Sequence, residues 1–126
     1  MSRPVSDLEH DETARFDPAR LEQLCRDKGE ARAETEAAEA LDRIARLLGE
    51  ISDGDGLPQV RFAARVESLI AAADKIGMAT LARVARDVRI CLDRGDPVAL
   101  AATRSRLGRV GERSIHAIFD LDDRIV

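Results

Sequence analysis

Ala37, Leu41, Ile44, Leu48 and Ile51 follow one another at steps of four and three residues, and the rhythm returns three more times down the chain. It reappears at Phe62, Val66, Leu69, Ala73 and Ile76, then at Leu81, Ala85, Val88 and Leu92, and last at Leu100, Leu107, Val110, Ser114 and Ile118. A helix of about 3.6 residues per turn gathers such positions on one stripe. Nowhere does the apolar/polar alternation of a half-buried strand persist. The segments between the stripes are punctuated by helix breakers. Ser52-Asp53-Gly54-Asp55-Gly56 ends the first of these helices, predicted over about 30–51. The next is predicted from Pro58 to Gly77 and the third from Met78 to Asp93. Gly95 closes that one, and Asp96-Pro97 opens the last, which is expected to fray over residues 120–126.

A shorter helix precedes the four. Asp17 can cap it, and Pro18 at the first helical position gives up no hydrogen bond that the helix needs. Leu21, Leu24 and Cys25 repeat at helical spacing before Gly29 stops it. Residues 1–15 are polar and without period and read as a mobile tail. The expected fold is therefore all-α, an antiparallel four-helix bundle with an additional short N-terminal helix, formed by residues 16–126 as one domain.

Composition excludes several function classes. The only aromatic residues are Phe16, Phe62 and Phe119, and a net charge of −4 leaves 20 Lys and Arg interleaved with 24 Asp and Glu. With no basic block and no stacking platform, nucleic acid is not an expected partner. Apolar runs such as residues 69–73 are far too short for a bilayer, and the acidic, polar N-terminus is unlike a signal peptide. The expectation is a cytoplasmic protein with no membrane partner. Cys25 and Cys91 lack C-x-x-C spacing and read as two buried, reduced thiols. His10 and His116 stand far from each other and from any metal-ligand pattern, and phosphate-loop, zinc-protease and nucleophile-elbow motifs are absent. No enzyme activity, metal or cofactor is expected; the chain reads as a protein that works by binding another.

The helix carrying Phe62 holds the informative face. With its apolar stripe turned inward, Glu67 falls far from the core, and so do Val60, Ala64 and Ala71 one turn above and below it. Asp74 lies on the same outer side and Ile70 at its border, while Arg61, Arg65 and Lys75 flank the patch. Small side chains on an exposed face let another surface approach closely, so these nine residues are the expected partner-binding set.

Residues 65–78 resemble the signature of histidine-containing phosphotransfer (HPt) domains, in which a histidine is followed at fixed intervals by Leu, a Lys-Gly pair, Ala, Ile or Leu, and Gly. Leu69, Ala73, Ile76 and Gly77 match that pattern without gaps, and Ala71 replaces the small glycine. The likeness extends from Phe16-Asp17-Pro18 through Leu81, Ala85, Val88 and Gly95-Asp96, over most of residues 16–119. The position of the phosphoacceptor histidine, however, is Glu67, and that of the neighbouring lysine is Ile70. An imidazole nitrogen accepts and releases a phosphoryl group; a carboxylate there has neither a base nor a metal to help it.

The resemblance thus implies a pseudo-phosphotransfer protein. It would bind a response-regulator receiver domain or a histidine kinase and modulate a phosphorelay without carrying phosphate. A structural or oligomerisation module, with the same face forming a homodimer seam, is the alternative of another class. A phosphoacceptor role for His116 or His10 is a third reading, outside the family motif.

Overall fold

The computed structural model describes residues 13–52 and 56–125, with side chains through residue 118. Five helices and no strand occur among the described residues: α1 (Pro18–Lys28), α2 (Glu30–Ser52), α3 (Gln59–Ile76), α4 (Ala79–Arg94) and α5 (Pro97–Ile125). α2 packs on α3, α3 on α4 and α4 on α5, while a looser α2–α5 seam closes the ring and α1 lies against α2 and α3. No helix among the described residues is long and apolar enough to cross a membrane.

Local sequence explains where the helices begin and end. The Asp17 carboxylate accepts the Ala19 N–H, with Pro18 at the first helical position, and Gly29 ends α1 at a φ of 84°. Gly77 and Gly95 end α3 and α4 in the left-handed region that only glycine enters without strain. The Asp96 carboxylate accepts the N–H groups of Val98 and Ala99 at the start of α5. That helix is assigned as far as Ile125.

The stripes predicted for α3 and α4 are all buried, with Val66, Leu69, Ala73, Leu81, Ala85 and Val88 wholly screened from water. Each Leu or Val so placed contributes about 1.5–3 kcal/mol of hydrophobic burial. Ala40, Ala72, Ala73, Ala82 and Ala85 belong to the same core, so at these points only a methyl group fills the space. In α2 the buried arc is displaced: Ala33, Ala40, Ile44, Leu47 and Ile51 are buried, whereas Ala37, Leu41 and Leu48 are half-buried. α2 meets three neighbours and therefore presents a broader buried arc than one stripe. Ser114, Leu107 and Val110 are buried in α5, with Leu100 and Ile118 half-buried against the core. In α1 only Leu24 is buried; Leu21 is exposed.

Two expectations need correction. Cys25 is exposed and Cys91 half-buried; both are free thiols, so the pair is reduced but not buried. Cys25 misleads because α1 has a single layer of contact and turns only Leu24 inward. The expected tail, residues 1–15, lies outside the described residues up to 12, as does His10, but its last three are tied to the fold. The Thr80 hydroxyl accepts the Arg15 N–H at 2.8 Å and donates to the Thr13 carbonyl at 3.1 Å. The Arg15 carbonyl in turn accepts the Thr80 N–H, and the Gly77 carbonyl accepts the Asp17 N–H at 2.7 Å. The approach segment thus satisfies the Thr80 amide, which the start of α4, having no side-chain cap, would leave orphaned.

A Cβ at Gly77 would lie 2.3 Å from the Asp17 carbonyl oxygen, on a backbone of φ 77°. Gly77→Ala should destabilise the chain by at least about 1–2 kcal/mol from the left-handed backbone alone, read in urea unfolding. A loss below a few tenths would mean that neither strain nor contact constrains the turn. Glu36 supplies a second, pH-dependent link: its carboxylate meets Lys75 of α3 at 2.8 Å, Lys28 of α1 at 3.0 Å and Arg32 at 3.4 Å. Hydrogen bonds from Lys75, then Lys28, hold its pKa down from 4.5 to about 2. A depressed carboxylate pKa stabilises the fold above the unfolded value, and that contribution fades as pH falls from about 4.5 toward 2. Glu36→Gln should therefore be less stable than wild type at pH 7, with the gap closing below pH 3; a gap independent of pH contradicts the link.

Candidate functional site

α3 carries the candidate face, and its rotation is fixed by the core. Because Phe62, Val66, Leu69, Ala73 and Ile76 point inward, the opposite side of the helix must face out. Val60, Ala64, Glu67 and Ala71 are all exposed there, Val60 at 81%. Ile70 is half-buried and packs against the core at the border, and Asp74 is half-buried. Val60, Ala64 and Ala71 form a low crest along the helix, since none of them carries more than a short apolar side chain.

Glu67 is not the isolated carboxylate that the α3 pattern alone suggests. Arg89 of α4 reaches it at 3.4 Å and also contacts Asp93 at 3.3 Å. Two turns along α3, Asp74 is paired with Arg86 of α4. The acids of the face therefore lie on its α4 border, each matched by a cation from the next helix. Two of the three flanking cations turn the other way. Arg65 pairs with Glu50 of α2 at 2.8 Å, and Lys75 with Glu36. Arg61 is exposed. The face is thus an apolar crest between two rows of ion pairs, one shared with α4 and one with α2. A hollow of about 150 Å³ between α2 and α3 adjoins it, with Ala71, Ala72 and Lys75 on its α3 side.

Sequence reasoning missed the α4 half of this surface. Arg86, Arg89 and Asp93 lie at helical spacing along one flank of the buried stripe of α4, with Ile90 45% exposed beyond them. That spacing was a usable signal. What no spacing within one helix reveals is the register between two, which is what brings Arg89 rather than Arg83 to Glu67.

The chemistry available to Glu67 is that of a solvated, ion-paired carboxylate. No histidine or other base approaches it among its described contacts, and Arg89 is the cation paired with it. His116 is exposed on α5, away from this face. Among the described residues no group of three or more His, Cys, Asp and Glu side chains converges so as to hold a metal ion.

Exposed ion pairs contribute little to folding, so Glu67→Gln should change the unfolding free energy by less than about 1 kcal/mol. A several-fold greater loss in urea titration would make the residue structural and remove it from the candidate face. No protein-family model, curated protein or solved structure matches this chain.

Proposed function

We propose that this chain is a degenerate histidine-phosphotransfer protein, an antiparallel four-helix bundle with α1 as an added N-terminal helix. In this reading it acts in the cytoplasm and binds a two-component signalling partner, a receiver domain or a histidine kinase, through α3. It modulates that partner's phosphorelay and carries no phosphate itself.

The observation that supports the reading best is the setting of Glu67. It stands exposed in the slot that the resemblance assigns to the phosphoacceptor, on a helix whose neighbouring outward positions are Val60, Ala64 and Ala71. A phosphate-accepting imidazole needs an approach path for a second active site, and a crest of small side chains keeps that path open. The same crest without the imidazole retains the docking and loses the transfer. The paired charges fit this role. Glu67 with Arg89 and Asp74 with Arg86 leave little net charge on the α4 border, so contact would rest on shape and apolar burial, with the ions setting orientation.

The test is direct binding of purified receiver and kinase domains to wild type and to Ala71→Arg, by calorimetry or interferometry. Ala71 is exposed, so the substitution leaves the core intact. Affinity should fall at least about tenfold, the equivalent of 1.4 kcal/mol. Unchanged affinity would remove α3 as the docking face. Failure to bind any receiver or kinase domain, or acid-labile label acquired from a phosphorylated receiver, would overturn the pseudo-phosphotransfer reading.

A further inference from the structure

α1 and α2 are joined by one residue, and its backbone is unusual. Gly29 has φ 84° and ψ 158°, a region essentially reserved for glycine. Packing does not demand the glycine, for a Cβ there would meet nothing within 4 Å. Helical hydrogen bonding runs up to this residue and resumes from it. The Gly29 N–H donates to the Cys25 carbonyl at 2.8 Å, and the Gly29 carbonyl accepts the Ala33 N–H at 3.0 Å, both with the spacing of an α-helix. Only the bonds that would span the joint are interrupted. The N–H groups of Glu30, Ala31 and Arg32 open α2 without an acceptor inside it, and the carbonyls of Arg26, Asp27 and Lys28 close α1 without a donor inside it. A return of this one residue to helical torsions would pair the two sets and make residues 18–52 a single helix.

The bent form is held by contacts outside the contiguous core. Leu24, the one buried side chain of α1, and Ala33 are buried hydrophobic residues that do not belong to that core. The other ties lie at the two ends of α1. Lys28 meets Glu36 at 3.0 Å, the Asp17 N–H meets the Gly77 carbonyl at 2.7 Å, and the Arg15 N–H meets the Thr80 hydroxyl. Phe16 adds partial burial against the core. The bent and straight forms exclude one another. Nine residues separate Leu24 from Ala33, which on a continuous helix puts them on opposite sides. While Ala33 stays buried, a straight joint therefore carries Leu24 away from the bundle, with Leu21 and Cys25 beside it. An isolated helix of 11 residues is marginal in water, but as an extension of α2 it needs no new nucleus.

We infer that Gly29 is a hinge, and that α1 with the segment before it forms an arm that swings off the Gly77 turn by straightening into α2. The closed arm covers the end of α3, where the Asp17 carbonyl and the Arg20 side chain crowd Gly77. The open arm bares that end and presents Leu21, Leu24 and Cys25 on the extended helix. The device is separate from the docking reading of the exposed α3 crest and does not depend on it.

Amide exchange of the full chain, followed residue by residue by NMR, separates hinge motion from melting. Two substitutions push the joint in opposite directions. Gly29→Ala disfavours the bend and favours the helix. Glu30→Pro, at the first position of α2, costs the bent form no helical bond, but in a straight helix it removes the bond to the Arg26 carbonyl and clashes with it. In Gly29→Ala the Asp17 and Thr80 amides should exchange at least about tenfold faster than in wild type. Val88 of α4 should be unchanged there, and the amides of residues 30–32 should become protected. In Glu30→Pro the Asp17 and Thr80 amides should exchange more slowly than in wild type. Asp17 and Thr80 amides that move only in step with Val88, or that Glu30→Pro fails to slow, overturn the inference, because the arm then does not open by itself at this joint. So does a Gly29→Ala variant whose amides at 30–32 stay unprotected, because its arm melts and does not straighten.

Discussion

A bare Cα at Gly77, pressed against the Asp17 carbonyl, governs the arrangement of this molecule. The left-handed turn there lets α3 reverse into α4 within two residues, and no larger side chain fits beside the Asp17 carbonyl. The tight reversal sets the register of the two helices. That register in turn brings Arg89 to Glu67 and Arg86 to Asp74. The same turn receives the chain's approach segment, which lends its carbonyls to the start of α4 and locks α1 beside α3. Fold and candidate face therefore share one point of origin, and the turn belongs to both.

Ion pairs tie each helix of this protein to its neighbours. Glu36 gathers cations from α1, α2 and α3, Glu50 holds Arg65, Asp87 holds Arg106, and the α3–α4 border is paired along its length. The exposed pairs among them, unlike the half-buried Glu36 cluster, add little stability, but they fix which side chains are presented and where. They convert a helix surface rich in charge into one whose unpaired character is apolar and small. This is why the crest of Val60, Ala64 and Ala71, rather than the acids beside it, is the distinctive part of α3.

Much of the helical layout was readable from the chain. Every position that the steps of four and three assign to the buried stripes of α3 and α4 is buried, though Ala72, Thr80, Ala82 and Val84 are buried beside them, and Asp17-Pro18, Gly29, Gly77 and Gly95 marked helix ends through their backbone preferences. Ala40 and Leu47 were missed because α2 is embraced by three neighbours, and one stripe underestimates an arc that wide. Cys25 was placed inside because its position repeats at helical spacing, although α1 has contacts enough to bury only Leu24. Thr80 gave no signal: a buried hydroxyl acting as both acceptor and donor to a distant segment looks, in sequence, like any threonine. The candidate face was legible as a set of outward positions on α3, but its partners on α4 and α2 depend on the register between helices, which periodicity within one helix does not encode.

The interior has a further consequence for how such a chain can change over generations. Where Ala40, Ala72, Ala73, Ala82 and Ala85 separate the helices, a methyl group already fills the gap, and close-packed interiors resist added methylenes more than they resist exchange at equal volume. A larger side chain at any of these alanines would therefore have to push its neighbours aside, a demand that an exposed position does not make.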